Sequence, residues 1–516
     1  MVKTGPANSQ PEPPFSKNKV DEVIKNLDDK KCPGPDDFDG VIVKRLHKYL
    51  PKFWLTLFNK CLSLGSFPEE WKKARVIAIP KQDRNKLHSV QGYRGISLLS
   101  IPGKCLEKLA TERLNHFLES AGHIPPQQYG FTAGRSTVDT IKAVTEHVSS
   151  CRRSGQKCCF LALDIAGAFG NAWHPGILAR LRKLNCPPNI YSLVRDFLRE
   201  RMAHFILGKS VSSKWVTKGC PQGSVLAPTL WNIIINSLIA LLSKAPNVRL
   251  VVYADNIMIM IQGPSTADIL NTLDNTLRSI ETWRKEHRLE ISKEKSALMP
   301  MYARNRDEYK RHPMTVAWGI NVVSNMRYLG VTLDCKLDWY PHSQHLELKL
   351  LRIRNRQVRC SKATWGMSFH NLLTIYKHAI LPAITYAAEA WCTTTSKRAR
   401  SKLLQIQRAY ILFITKAYRT VSSEALSAIA GIMPIDLAML LHKDIRDMSR
   451  GQPTKAVITE LKKIEIPNKI REIHPRDNHI RVDLSGTEDN ANVSIYTDGS
   501  KTDNHVGASM VAVRLY

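Results

Sequence analysis

The sequence has no CxxC pair, no apolar run long enough to span a bilayer, and few acids for its number of bases. Its 11 cysteines are odd in number and scattered, which argues against a disulfide framework or structural zinc. They read as free thiols in a reducing compartment, with Cys158 and Cys159 in a buried strand. The longest apolar stretch, Leu230 to Leu242, is broken by Asn232 and Asn236 and falls short of a membrane span. The opening MVKTGPANSQPEPPF is polar and proline-rich, unlike a secretory leader. A soluble intracellular protein is expected. Asp and Glu number 45 against 75 Lys and Arg, a formal charge of +30 that suits a polyanion, nucleic acid or an anionic surface. What is present is ample: 516 residues, 43% of them hydrophobic, suffice for several domains of about 150 residues each.

The first 18 residues, with Pro6, Pro11, Pro13 and Pro14, predict a flexible arm. Helical periodicity starts at Val20 and is broken by the polar loop KCPGPDDFDG at 31–40. WKKARVIAIPK, 71–81, alternates as a strand. CCFLALDI, 158–165, and RLVVYADNIMIMI, 249–261, read as two short, strongly apolar strands, each carrying an aspartate. In HPGILARLRKL, Ile177, Leu178, Leu181 and Leu184 share one helical face. From Leu348 the pattern is amphipathic, with Leu348, Leu351 and Val358 on one side and Lys349, Arg352, Arg356 and Arg359 on the other. No acid occurs between Glu347 and Glu389, so residues 340–450 predict a basic helical region, followed by a polar connection from about 451 to 492. The closing VSIYTDGSKTDNHVGASMVAVRLY predicts two strands joined by a turn.

Asp164 and Asp255 carry the chemistry. Taken alone, an aspartate in an apolar strand is more often a cap or an ion-pair partner, because burying it as an ion is costly without a partner or a metal. Two on adjacent strands, in a basic chain, can instead hold a pair of Mg²⁺ ions about 4 Å apart. Such a pair activates a 3′-hydroxyl and stabilises leaving pyrophosphate, as phosphoryl transfer on nucleic acid requires.

The blocks around these residues make the sequence recognisable. PGPDDFDG at 33–40, FPEEWKKARVIAIPK at 67–81, YRGISLLS at 93–100 and QQYGFTAGRSTVDTI at 127–141 come first. LALDIAGAF at 161–169, GCPQGSVLAPTLWN at 219–232, YADN at 253–256 and YLGVTLD at 328–334 follow in order. Together they resemble the reverse transcriptases of non-LTR (LINE-type) retrotransposons, particularly the arthropod kind. The resemblance implies an α/β (α+β) right-hand polymerase: fingers and palm over 19–335, then a helical thumb and connector over 336–450. It makes Asp164 and Asp255 the palm metal ligands for two Mg²⁺ ions, with Mn²⁺ as a substitute. Phe169 becomes a steric gate against the ribose 2′-hydroxyl, and Lys81 and Arg94 the grip on the incoming deoxynucleoside triphosphate. Gln222 lines the nucleotide pocket, Gly219 and Gly223 let backbone approach the substrate, and Lys295 is a general acid beside pyrophosphate. YLGV is the hairpin that holds the primer. The basic face Lys349, Arg352, Arg356 and Arg359 would follow the RNA template and DNA primer, or the RNA–DNA duplex, without reading sequence; on its own such a face also suits solvent or a membrane surface. No membrane partner is expected, and the family implies residence in the nucleus.

IYTDGS, 495–500, resembles the first strand of a ribonuclease H domain with Asp498 as its first ligand, and 493–516 reads as a truncated start that cannot work alone. The family's upstream endonuclease is not seen, so strand cleavage is not expected of this chain. Three positions depart from the family. Asn256 replaces the second aspartate of YADD, which predicts weaker metal affinity and slower catalysis. Gly170 stands where aspartate is common, softening the floor of the site, and Gly95 replaces a proline, loosening a loop that carries Arg94. These departures keep open a second expectation, an inactive nucleic-acid-binding relic.

Overall fold

In KCCFLALD every residue from Cys158 to Leu163 is apolar because both faces of the strand are covered. The computed structural model describes residues 9–81, 88–89, 92–207, 210–301, 318–361, 365–450, 494–502 and 505–513. Strand β3 (Lys157–Asp164) sits at the centre of a five-stranded sheet, order β6-β7-β3-β8-β9. Its partners are β6 (Val248–Tyr253), β7 (Asn256–Gly263), β8 (Ala297–Met301) and the short β9 (Asn321–Val322). Cys159, Leu161 and Leu163 point to one core together with Leu250, Ile257 and Ile259. Cys158 and Phe160 point to a second core with Met258, Met260 and Met299. The period of two divides one apolar run between two interiors.

The segment 249–261, expected as one strand, is a hairpin. β6 and β7 are antiparallel, with Tyr253 opposite Asn256 and Ala254–Asp255 as the turn. Ala254 takes φ +58°, a left-handed conformation that costs a non-glycine residue about 1 kcal/mol. The turn is supported from below, where Trp231 Nε1 donates to Ala254 O at 3.0 Å.

A second sheet has the order β2-β1-β4-β5. It comprises β1 (Lys73–Pro80), β2 (Tyr93–Leu99), β4 (Arg201–Leu207) and β5 (Ser210–Val216). Arg94 and Gly95 lie within β2, opposite Ile79 and Ala78, so Gly95 loosens no loop: it is a paired strand residue. Around the sheets pack α1 (Lys17–Lys25), α2 (Gly40–Tyr49), α3 (Pro51–Leu64), α4 (Glu69–Lys72), α5 (Ile101–Ser120) and α6 (Thr137–Arg153). These are followed by α7 (Ala168–Asn171), α8 (His174–Lys183), α9 (Pro188–Leu198), α10 (Ala227–Leu242) and α11 (Thr266–His287). Helix α10 is the apolar run of the sequence, with Leu230, Trp231, Ile235 and Ile239 all within the first core. Among the described residues no single helix is long and apolar enough to cross a membrane. Cys158 and Cys159 are buried thiols in β3, as expected.

Of the flexible arm expected over 1–18, residues 1–8 lie outside the described residues, and the rest is docked. Asn189 and Asn59 each bond the chain twice: Glu12 N donates to Asn189 Oδ1 and Phe15 N to Asn59 Oδ1, while their Nδ2 groups donate to Glu12 O and Phe15 O. Buried Arg113 donates to Glu12 Oε2 at 3.1 Å and lies over the Phe15 ring. Proline lowers the cost of this order, since a restricted φ leaves less freedom to lose.

The hairpin β10 (Asn325–Tyr328) and β11 (Val331–Asp334) leads into α12 (Tyr340–Cys360). Its buried face is His342, Ser343, Leu346 and Leu350, not the expected row of Leu348, Leu351 and Val358: Leu348 is 60% exposed. The basic side chains Lys349, Arg352, Arg356 and Arg359 are exposed, as expected. His342 Nδ1 accepts from Thr332 N at 3.3 Å, tying α12 to the hairpin.

Burial pushes the His342 ring down to about 4 from an ordinary 6.5, with the His345 and Lys349 charges adding to the push. The unfolded chain takes up this proton below pH 6.5 and the folded chain only near 4. The contribution is therefore intact above 6.5 and lost as pH falls toward 4, by about 3 kcal/mol. Urea unfolding at pH 7 and pH 4.5 is expected to show that loss, and His342→Gln, which keeps an acceptor but cannot titrate there, to remove this part of it.

The mixed helix-and-sheet architecture agrees with the expected fold class. Residues 444–516 form a separate unit. Its two strands, β12 (Ser494–Thr502) and β13 (His505–Val513), are antiparallel as expected, with Asp498 opposite Ser509. The expected linker 451–492 lies outside the described residues.

Candidate active site

Asp164 ends β3 directly opposite Asn256, and Asp255 occupies the adjoining turn, so the two aspartates share one end of the central sheet. The loop after α11 brackets this end: Ser292 N donates to Asp164 O at 2.9 Å and Ala166 N to Glu290 O at 2.8 Å. The same loop brings Lys295 Nζ to 3.2 Å from Asp164 Oδ2. Burial pushes the Asp255 carboxyl above its ordinary range; the Asp164 charge adds to this, while Lys295 and Arg94 oppose it. Asn256 Nδ2 donates to Asp255 Oδ1 at 3.3 Å, where a second carboxylate would instead repel.

Phe169 projects from α7, reached through Gly167. Its ring stacks on buried Trp231 at 5.8 Å and meets Phe131 edge-on at 5.9 Å, so it is braced from two sides. The turn 219–223 is pinned to this segment, with Gly219 N donating to Ala172 O and Cys220 N to Phe169 O, each at 2.7 Å. It is pinned to β2 as well, since Ser97 N donates to Gln222 O at 2.7 Å. Both glycines are required: a Cβ on Gly219 (φ +88°) would lie 2.5 Å from Gly170 O, and one on Gly223 (φ +121°) 2.5 Å from Ser97 O. The space beside Gly170 itself is open, with nothing within 4 Å of a Cβ built there.

One cleft of about 500 Å³ gathers Lys81, Arg94, Asp164, Phe169, Gln222, Asp255 and Lys295. Residues drawn from six separate sequence blocks therefore face a single space. Arg201 and Lys218 also line it and carried no signal in the sequence beyond their charge. Lys349, Arg352, Arg356 and Arg359 lie outside the cleft, on α12, and Asp498 belongs to the separate unit.

Residues 79–333 match the family described as "Reverse transcriptase (RNA-dependent DNA polymerase)". The chain belongs to the reverse transcriptases. The "Putative 115 kDa protein in type-1 retrotransposable element R1DM" of Drosophila melanogaster is 30% identical over 438 residues, covering 84% of this chain and 42% of that protein. A "Retrovirus-related Pol polyprotein from type-1 retrotransposable element R1" of Bradysia coprophila is 28% identical over 452 residues, covering 86% and 44%. This reverse transcriptase is thus of the arthropod non-LTR kind that its motif blocks resemble, and it spans less than half the length of these relatives. Among solved structures, a telomerase of Candida albicans bound to a telomeric RNA fragment overlaps with a TM-score of 0.42 at 11% identity, covering 77% of this chain and 69% of that one.

Proposed function

We propose that this reverse transcriptase extends a DNA primer on an RNA template, using the cleft between the two sheets as its nucleotidyl-transfer site. The observation that carries the reading is the convergence of two carboxylates at one sheet end with the cations Lys81, Arg94 and Lys295 in one cleft. The donor set fits a hard divalent cation: two carboxylates, one of them driven toward its neutral form by burial and by its neighbour's charge, a tension that a cation relieves. Asp164 and Asp255 would hold a pair of Mg²⁺ ions. Bound there, the metal supplies Lewis-acid stabilisation of the attacking 3′-hydroxyl and the leaving pyrophosphate.

The remaining work falls to the chain's own side chains. Lys81 and Arg94 present several donors to triphosphate oxygens. Lys295, beside Asp164, is placed to give a proton to pyrophosphate. Phe169, unable to swing away because Trp231 and Phe131 brace it, closes the space that a 2′-hydroxyl would need. Gln222 forms the pocket wall, and the exposed basic face of α12 neutralises duplex phosphates.

A second reading, a binding relic of such an enzyme, is favoured by one observation: the Asn256 amide brings no charge and engages Asp255 Oδ1. Primer extension on an RNA template with Mg²⁺ separates the two. The chain is expected to extend the primer, and Asn256→Asp to do so about tenfold faster at limiting Mg²⁺. Extension only by Asn256→Asp would mark this copy as disabled on an intact scaffold. No extension by either, with template–primer still bound, would overturn the polymerase reading in favour of the relic.

A further inference from the structure

Behind the nucleotide-pocket turn lies a buried polar cluster that nothing above puts to use. Glu107, on α5, is 2% exposed. Its Oε2 accepts from Ser224 Oγ, from Val225 N at 2.8 Å and from Leu226 N at 3.1 Å. Ser224 Oγ in turn accepts from Leu226 N and Ala227 N, each at 3.1 Å. These amides open α10, where backbone donors have no partner within the helix and where negative charge is favoured. Burial pushes the Glu107 carboxyl above its ordinary range, and the Ser224 hydroxyl, the Arg201 charge and the Leu226 and Val225 amides oppose that push. Arg201, also 2% exposed, stacks over the Phe197 ring at 4.4 Å. On the opposite side of the turn, His174 Nε2 donates to Gly219 O at 2.8 Å.

Gln222 therefore stands in a turn clamped at each end by a buried polar group. The clamp extends to Phe169, because the Cys220 amide bonds Phe169 O. A helix start capped by Ser224 alone would satisfy two amides. The added carboxylate reaches from a different helix, so it fixes where the turn sits relative to α5 as well as how α10 begins.

We propose that Glu107 is a positioning residue for the nucleotide pocket. By holding Ser224–Leu226 against α5 it sets the placement of Gln222 and, through the Cys220 amide, of the Phe169 ring. The inference rests on the polymerase reading of the cleft. It assigns Glu107 an effect on deoxynucleotide binding, and none on chemistry or on template–primer affinity.

Glu107→Gln keeps the shape but places an amide where a single carboxylate oxygen accepts three bonds. Its KM for deoxynucleoside triphosphate is expected to rise about tenfold, with kcat and template–primer affinity within about twofold. Amide hydrogen exchange at Val225 and Leu226 is expected to quicken selectively. Leu118→Ala, a core truncation at the far end of α5, supplies a destabilised control that should not raise KM. Ser224→Ala, should Glu107→Gln fail to fold, is expected to shift KM in the same direction by a smaller factor. An unchanged KM, or a rise matched by Leu118→Ala, would overturn the proposal. A wild-type chain that does not synthesise overturns the polymerase reading alone. The clamp is then decided by exchange at Val225 and Leu226: faster in Glu107→Gln supports it, unchanged overturns it.

Discussion

Asp164→Ala is expected to lower primer extension at least about 1,000-fold, a loss of about 4 kcal/mol of transition-state stabilisation. The substitution removes one of two carboxylates at the sheet end, and Asn256 opposite offers no charge to replace it. The fold should not register the change. Asp164 is partly exposed and its ion pair with Lys295 involves a side chain that is 67% exposed, so the pair is worth at most about 1 kcal/mol. Template–primer should bind at least as tightly as before, because a carboxylate among phosphates repels them. Steady-state extension, thermal melting and filter binding on the same preparation test all three statements. A variant that retains a tenth of the activity would remove Asp164 from the catalytic role.

The second large effect is expected on α12. Lys349, Arg352, Arg356 and Arg359 are exposed along one side of the helix, and replacing all four with glutamine removes charge without touching the buried row of Leu346 and Leu350. Glutamine and the basic residues have similar helix propensities, so the helix should persist. If each cation neutralises one phosphate of the duplex, the slope of log K against log salt falls by about 3.6. The loss of affinity should be the same for unrelated template sequences, since phosphates carry no base identity. Binding titrations across a salt series check the slope. A loss confined to particular sequences, or an unchanged slope, would place the duplex elsewhere.

Much of the site was legible because its chemistry is local. A carboxylate closing an apolar strand, a glycine pair around Pro-Gln and a lysine after Ile-Pro are each contained in a few residues, and the fold brings them to one cleft. What escaped depends on contacts between distant segments. The YADN hairpin read as a single strand because both flanks are apolar, and both are apolar because the sheet is covered on two sides. Ala254 is no turn former, and its positive φ is held by packing from Trp231 below. The buried row of α12 was ambiguous because LELKLL places leucine at 346, 348, 350 and 351, on nearly every side of the helix. Glu107, in LEKLATER, looks like any solvated helix residue until the start of α10 arrives against it. The docking of residues 9–15 depends on Asn59 and Asn189, whose amides match an extended chain that proline content alone makes look loose.

The family match begins at residue 79, whereas β1 begins at Lys73 and lies between β2 and β4. A piece cut at the match would retain two residues of that strand and leave β2 and β4 with open edges, the condition that invites intermolecular pairing. It would also strip Phe15, Trp54, Phe58 and Phe67 from the first core. The recognisable portion of this protein and its smallest self-sufficient portion are therefore different objects. The match covers the stretch that carries the chemistry, while foldability extends upstream into helices and a proline-rich strap that lie outside it. A shortened copy can keep the whole matched stretch, both aspartates of the sheet end included, and still lose the strand and the core residues on which its folding depends.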